Sequence, residues 1–102
     1  MEIDYGPSYA KLGIQFQYQW STLLRDALKK HGITDAQAKA ICGDFAFDLS
    51  KLIDEAEIKA DGLSYRPVIA FTEDEETLLV QSAEFDYHEA AYATAAAAFE
   101  KK

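Results

Sequence analysis

The sequence predicts an α+β fold in which three helices pack with a small antiparallel β-hairpin or three-stranded meander. Three observations predict it. A capped run with helical apolar spacing begins at Thr34. A stretch rich in Tyr, Val, Ile and Phe lies between the turn signal Asp61-Gly62 and a run of four acids. An alanine-rich segment with strong helix propensity, Ala95 to Ala98, follows near residue 100. At 102 residues, 49% of them hydrophobic, the chain has the size of a single domain and enough apolar content for one core.

The first helix is expected from Ser8 to His31. Tyr9, Leu12, Phe16, Trp20, Leu23, Leu24 and Ala27 recur at three- and four-residue steps, and Pro7 after Gly6 suits a helix start. The basic turn Lys29-Lys30-His31 complements the negative end of a helix, and Gly32 suits its C-cap. The strict alternation from Ile14 to Trp20 is also a strand pattern, so a strand over 13–19 is the competing reading.

The second helix runs from Thr34 to Ala56. Thr34-Asp35-Ala36-Gln37 reads as a capping box. Ala38, Ile41, Cys42, Phe45, Leu49, Leu52, Ile53 and Ala56 make its expected core stripe. Asp44, Asp48, Lys51, Asp54 and Glu55 lie off that stripe and are expected to face water. A second flank of Ala36, Ala40, Gly43 and Phe47 offers a close approach to another helix or to a partner.

The strands follow. Leu63 to Thr72 reads as a strand restricted at Pro67, which has no amide donor. Thr77 to Gln81 returns, with Glu73 to Glu76 at the tip, and Glu57 to Ala60 supplies a third strand across Asp61-Gly62. Ser82 is the expected N-cap of a last helix, with Phe85, Tyr92 and Phe99 at heptad spacing and Lys101-Lys102 at its close.

Charge bounds the function. Eighteen acids against ten bases give −8, shared as +1 over 1–31, −4 over 32–62 and −5 over 63–102. Such a surface repels phosphates and anionic membranes and attracts basic proteins. A winged helix–turn–helix would present an acidic recognition helix and an acidic wing, so direct nucleic-acid binding is not expected. No apolar run reaches the roughly 20 residues of a membrane span. The acidic start, Met1 to Tyr5, does not resemble a signal peptide. One cysteine excludes an internal disulfide, and a cytoplasmic protein is expected.

Chemistry-bearing patterns are sparse, and no catalytic, cofactor or metal residue is assigned. Glu84 and His88 share a helical face at metal-ligand spacing, but that spacing also stabilises ordinary helices. Asp44 and Asp48 share a face with Lys51 and fit a solvated surface. Glu73 to Glu76 lack the alternating ligands and internal glycine of a calcium loop. Cys42 lies on the apolar stripe, where thiols are inert, and the five glycines form no phosphate-cradling loop.

The expected function is a non-enzymatic acidic protein-binding module that contacts a basic protein surface, as an inhibitor or immunity-type factor does. Its expected contact residues are Glu73, Asp74, Glu75, Glu76, Asp44, Asp48, Asp54 and Glu55, with Phe47, Tyr65 or Tyr87 as aromatic anchors. Two alternatives stand beside it. One is a homo-oligomer assembled through Gly43, Phe47 and the Phe85-Tyr92-Phe99 repeat; the other is a metal-dependent hydrolase using His88 with Glu84 or the Asp44/Asp48 pair.

Overall fold

Helix caps and turns set the element order: β1 (Glu2–Asp4), α1 (Tyr9–Lys30), α2 (Asp35–Glu55), β2 (Ile58–Ala60), β3 (Leu63–Tyr65), β4 (Ala70–Phe71), β5 (Thr77–Val80) and α3 (Tyr87–Ala97). The computed structural model describes residues 2–81 and 85–100. This is an α+β fold, as the sequence predicts. No helix among the described residues is long and apolar enough to cross a membrane.

One continuous helix occupies 9–30, so the alternation at 14–20 is not a strand; the run passes round the helix, with Ile14 and Phe16 exposed and Gln17 buried. It ends where Gly32 adopts φ +84°, with the Gly32 amide donating to the Lys29 carbonyl and the Ile33 amide to the Leu28 carbonyl. Lys29 then bridges Asp35 at 3.2 Å across the turn into α2. At the α2 start the Thr34 hydroxyl accepts from the Gln37 amide at 3.3 Å. The same hydroxyl donates to Gln37 Oε1 at 3.2 Å, in place of the expected bond from Gln37 back to the cap amide.

The strands divide into two sheets. β2 and β3 form a hairpin over Asp61-Gly62, both at positive φ (51° and 78°), as the tightest hairpin turns require. The run 63–72 is broken at Pro67, and its second part, β4, pairs antiparallel with β5. β1 adds to β5 in parallel, with Glu2 opposite Thr77 and Asp4 opposite Leu79, so the sheet order is β1-β5-β4.

The core lies among the three helices and under the three-stranded sheet. One cluster joins Tyr9, Ile53, Phe85 and Tyr87, and the other joins Cys42, Ala46, Ala91 and Ala95. Burying each large side chain contributes about 1.5–3 kcal/mol. The Tyr9 hydroxyl donates to the Ile69 carbonyl at 2.8 Å and accepts from the Tyr87 hydroxyl at 2.8 Å, which ties α1 to the approach to β4 and to α3.

Both long helices are rotated from their expected stripes. In α1 the buried positions are Tyr9, Gly13, Gln17 and Ser21, while Leu12, Phe16 and Leu23 are exposed. In α2 they are Ala38, Cys42, Gly43, Ala46, Ser50, Ile53 and Asp54, while Ile41, Phe45 and Leu52 are exposed. The cause is a polar seam between the helices. Gln17 Nε2 donates to the Ser50 hydroxyl at 3.0 Å and to the Tyr87 carbonyl at 2.8 Å, so satisfying those groups turns α1 toward α2 and α3.

The Phe85-Tyr92-Phe99 repeat is not one helix face. Phe85 is buried ahead of α3, Tyr92 is exposed on it, and Phe99 follows it. The small residues Ala91 and Ala95, with Thr94, face inward instead. The expected cap Ser82, the Glu84 of the Glu84–His88 pair, and Lys101-Lys102 lie outside the described residues.

Candidate functional site

The acidic tip is built by turn chemistry. One carboxylate oxygen of Asp74 accepts from the backbone amides of Glu76 at 2.9 Å and Thr77 at 2.8 Å, and the Thr72 hydroxyl accepts from the Glu75 amide at 2.8 Å. These bonds to backbone hold the Asp74 carboxyl below its usual range. Asp74 therefore shapes the tip, and Glu73, Glu75 and Glu76 are the exposed charges it presents.

Two further carboxylates join them through strand pairing. Parallel pairing places Glu2 opposite Thr77, and the Glu2 amide donates to the Glu76 carbonyl at 3.0 Å. Glu2, Asp74, Glu75 and Glu76 line one shallow depression. Beside it a cleft of about 710 Å³ carries Asp4, Glu73 and Asp74, with Leu12, Phe71 and Leu79 as its apolar lining. Sequence reasoning missed Glu2 and Asp4. The only trace was the alternation Glu2-Ile3-Asp4, which three residues are too few to distinguish from chance.

The α2 acids are dispersed. Asp44 accepts from the Tyr92 hydroxyl at 3.0 Å in a separate groove with Ala36, Lys39, Ala40, Gly43 and Ala96. Asp48 is exposed, and Glu55 bridges Lys51 at 2.8 Å, which lowers the pKa of its carboxyl. Lys51 Nζ also sits 5.9 Å from the Phe47 ring centroid. Phe47 is half-buried, stacked on Tyr92 at 5.3 Å and edge-on to His88 at 6.1 Å, so its ring is largely engaged within the chain.

Asp54 overturns the expectation that it faces water. Its side chain is 2% exposed, because it caps a helix it does not belong to. Asp54 Oδ2 accepts from the His88 amide at 2.8 Å and from His88 Nδ1 at 2.7 Å, at the start of α3. Asp86, which occupies the N-cap position of α3, makes no side-chain cap bond there. Burial likewise removes Tyr87 from the anchors, whereas Tyr65 is exposed. Burial, then the hydrogen bond with Tyr9, raises the Tyr87 phenol far above its ordinary range.

The Asp54–His88 pair fixes the ring tautomer and raises the His88 pKa, chiefly through that hydrogen bond. Asp86, His88 and Glu89 bring one possible ligand atom each within 4.8 Å of one another. These groups stand at the positive end of α3, which favours the carboxylates and disfavours an added cation. Cys42 is buried, and burial raises its thiol pKa, so it is not an activated nucleophile.

Comparison with known proteins yields no matching family model, no matching curated protein and no matching solved structure.

Proposed function

We propose that this chain is a non-enzymatic protein-binding module that uses its acidic sheet end to engage a basic surface on a partner protein. The concrete form is an inhibitor or immunity-type factor that occludes a nucleic-acid-binding surface. One observation carries the reading: Asp4 of β1 joins Glu73 and Asp74 at an apolar-lined cleft, and Glu2 joins Asp74, Glu75 and Glu76 at the depression beside it. A lysine or arginine side chain suits such a site. Its aliphatic stem lies along Leu12, Phe71 and Leu79 while its cationic head meets the carboxylates. The gathered charge steers a basic partner and repels nucleic acid itself, raising association rates by ~10 to 10³.

The contact set differs from the one the sequence nominated. Glu73, Glu75 and Glu76 remain central and Glu2 and Asp4 are added. Asp44, Asp48 and Glu55 are peripheral, and Asp54 and Phe47 serve the interior. The experiment is titration calorimetry with an oligolysine and an oligoarginine peptide at low and high salt. Native protein should bind at low salt and release at high salt. Triple substitution of Glu73, Glu75 and Glu76 by Gln should abolish binding, with Asp74 kept to hold the loop. Equal binding by the native and triple-substituted proteins overturns the reading.

A further inference from the structure

We propose that the Asp61-Gly62 turn is a site of spontaneous backbone modification, at which Asp61 closes to a succinimide and reopens as isoaspartate. Of the nine aspartates, only Asp61 is followed by glycine, and the chain has no asparagine to compete by the same ring closure. Closure requires the next residue's amide nitrogen to reach the aspartate carboxyl, and glycine sets no side chain in its path. A Cβ built at Gly62 would meet nothing within 4 Å, so no neighbouring group crowds the turn either.

Both reacting groups are uncommitted. Among the described residues, the Asp61 carboxyl has no hydrogen-bonding or ion-pair partner, and the Gly62 amide donates to no group. Other aspartates are held. Asp74 accepts from the Glu76 and Thr77 amides, and Asp54 accepts from His88. Asp26, Asp35, Asp44 and Asp48 lie in α1 and α2, where the helical backbone keeps the next amide turned from the side chain.

The fold also leaves this turn free to move. Residues 57–66 are all exposed, and only the pairs Ile58–Tyr65, Lys59–Ser64 and Ala60–Leu63 hold β2 to β3. A two-stranded hairpin without a third strand is marginally stable in water, so it opens far more readily than the packed helices. Closed, the turn fixes Asp61 at φ 51° and Gly62 at φ 78°. Opening releases both residues to reach the geometry of the ring.

The chemistry balances without any added reactant but water. The Gly62 nitrogen gives up its proton and bonds to Asp61 Cγ, and one carboxyl oxygen leaves as water. Water then adds to the ring at either carbonyl. Attack at Cγ restores aspartate; attack at the main-chain carbon breaks its bond to the Gly62 nitrogen and leaves the chain running through Cγ. The isoaspartate product lengthens the backbone by one methylene. A two-residue turn cannot absorb that, so Ala60 and Leu63 lose their register and β2 parts from β3. Arg66, just beyond β3, still donates to the Asp54 carbonyl, so the change stops short of the helices.

Peptide mapping by electron-transfer mass spectrometry, which separates isoaspartate from aspartate by its backbone fragments, tests the site in the full chain warmed at neutral pH. A synthetic peptide of residues 57–66 sets the rate without the fold. Isoaspartate should accumulate at 61 and at no other position, within about tenfold of the peptide's rate, while helical circular dichroism is unchanged. Asp61→Glu, which would have to close a six-membered ring, should remain unmodified. A chain carrying Lys59→Cys and Ser64→Cys, oxidised to cross-link that opposed pair, should react about tenfold or more slowly than the same chain reduced, and the native Cys42 is buried. No isoaspartate at 61 while the peptide converts, equal rates in the cross-linked and reduced chains, or faster modification at another aspartate overturns the inference.

Discussion

Asp54 accepts two hydrogen bonds at one carboxylate oxygen, Oδ2, and both donors belong to His88: its backbone amide at 2.8 Å and its ring Nδ1 at 2.7 Å. A residue near the end of α2 thereby caps the beginning of α3. Removing it leaves an amide at the α3 terminus without its acceptor and a half-buried imidazole without its partner. Asp54→Ala is expected to cost about 2–4 kcal/mol of unfolding free energy. Asp54→Asn, which keeps an acceptor oxygen, should cost less. Urea unfolding of the two variants checks the order, and equal stabilities would remove the capping role.

His88 gives the same contact a pH dependence. The Asp54 carboxylate raises its folded-state pKa above the ordinary value of about 6.5. A group whose pKa is higher folded than unfolded contributes fully below the unfolded value, and that contribution fades as pH rises through the folded one. Stability should therefore decline on going alkaline of about pH 6.5 in the native chain, and this decline should be missing in His88→Gln. Proton NMR titration should place the His88 midpoint above the ordinary value, with Asp54→Asn bringing it down. A native midpoint at or below the ordinary value contradicts the assignment.

The two helical glycines with close neighbours should answer differently to one methyl group. A Cβ at Gly13 would stand 2.7 Å from Phe85 and 3.3 Å from Tyr87, and both rings are buried against Tyr9. Gly13→Ala should destabilise by roughly 1–3 kcal/mol despite its better helix propensity. A Cβ at Gly43 meets only the Tyr92 ring, which is 53% exposed and has room to swing. Gly43→Ala should be neutral or stabilising by up to about 1 kcal/mol. Thermal melts of both variants decide, and a reversal of this order would mean that the α1 packing is looser than described.

At the acidic tip, Asp74 and Glu75 should separate structure from charge. Asp74→Ala removes the acceptor for the Glu76 and Thr77 amides, so hydrogen exchange at those two amides should accelerate. Glu75→Gln should leave their exchange unchanged. Acid should act like the Asp74 substitution: its folded pKa is lowered, so its contribution is present above the ordinary carboxyl value and lost as pH falls through the folded one. Unchanged exchange in Asp74→Ala would show that β-pairing alone holds the tip.

Several elements were legible because their signals are local. The Thr34 cap, the Gly32 stop and the Asp61-Gly62 turn each depend on neighbours within four residues, and each occurs where the sequence puts it. The faces of the helices were legible only in part: Tyr9, Ala38, Cys42 and Ile53 are buried as expected, with Trp20, Leu24 and Leu49 packed against the core. Gln17, Ser50 and Asp54 are buried and pair across elements, and Ser21 is buried beside them, so hydropathy assigned their sides to water and sent Phe16, Leu23 and Phe45 inward. For the site, the four acids at 73–76 were visible as a run. Their company with Glu2 and Asp4 depends on a strand pairing that no local pattern announces.

The pairing of Glu2 with Thr77 also sets an order on assembly. During synthesis α1 and α2 are complete long before Thr77 exists, and their antiparallel packing needs only a short turn to close. β1 has no partner until β5 has been made, and loops of that length close late because of their entropy. The acidic end is then finished after the helical hairpin, and a nascent chain displays its two long helices before it displays its carboxylate cluster.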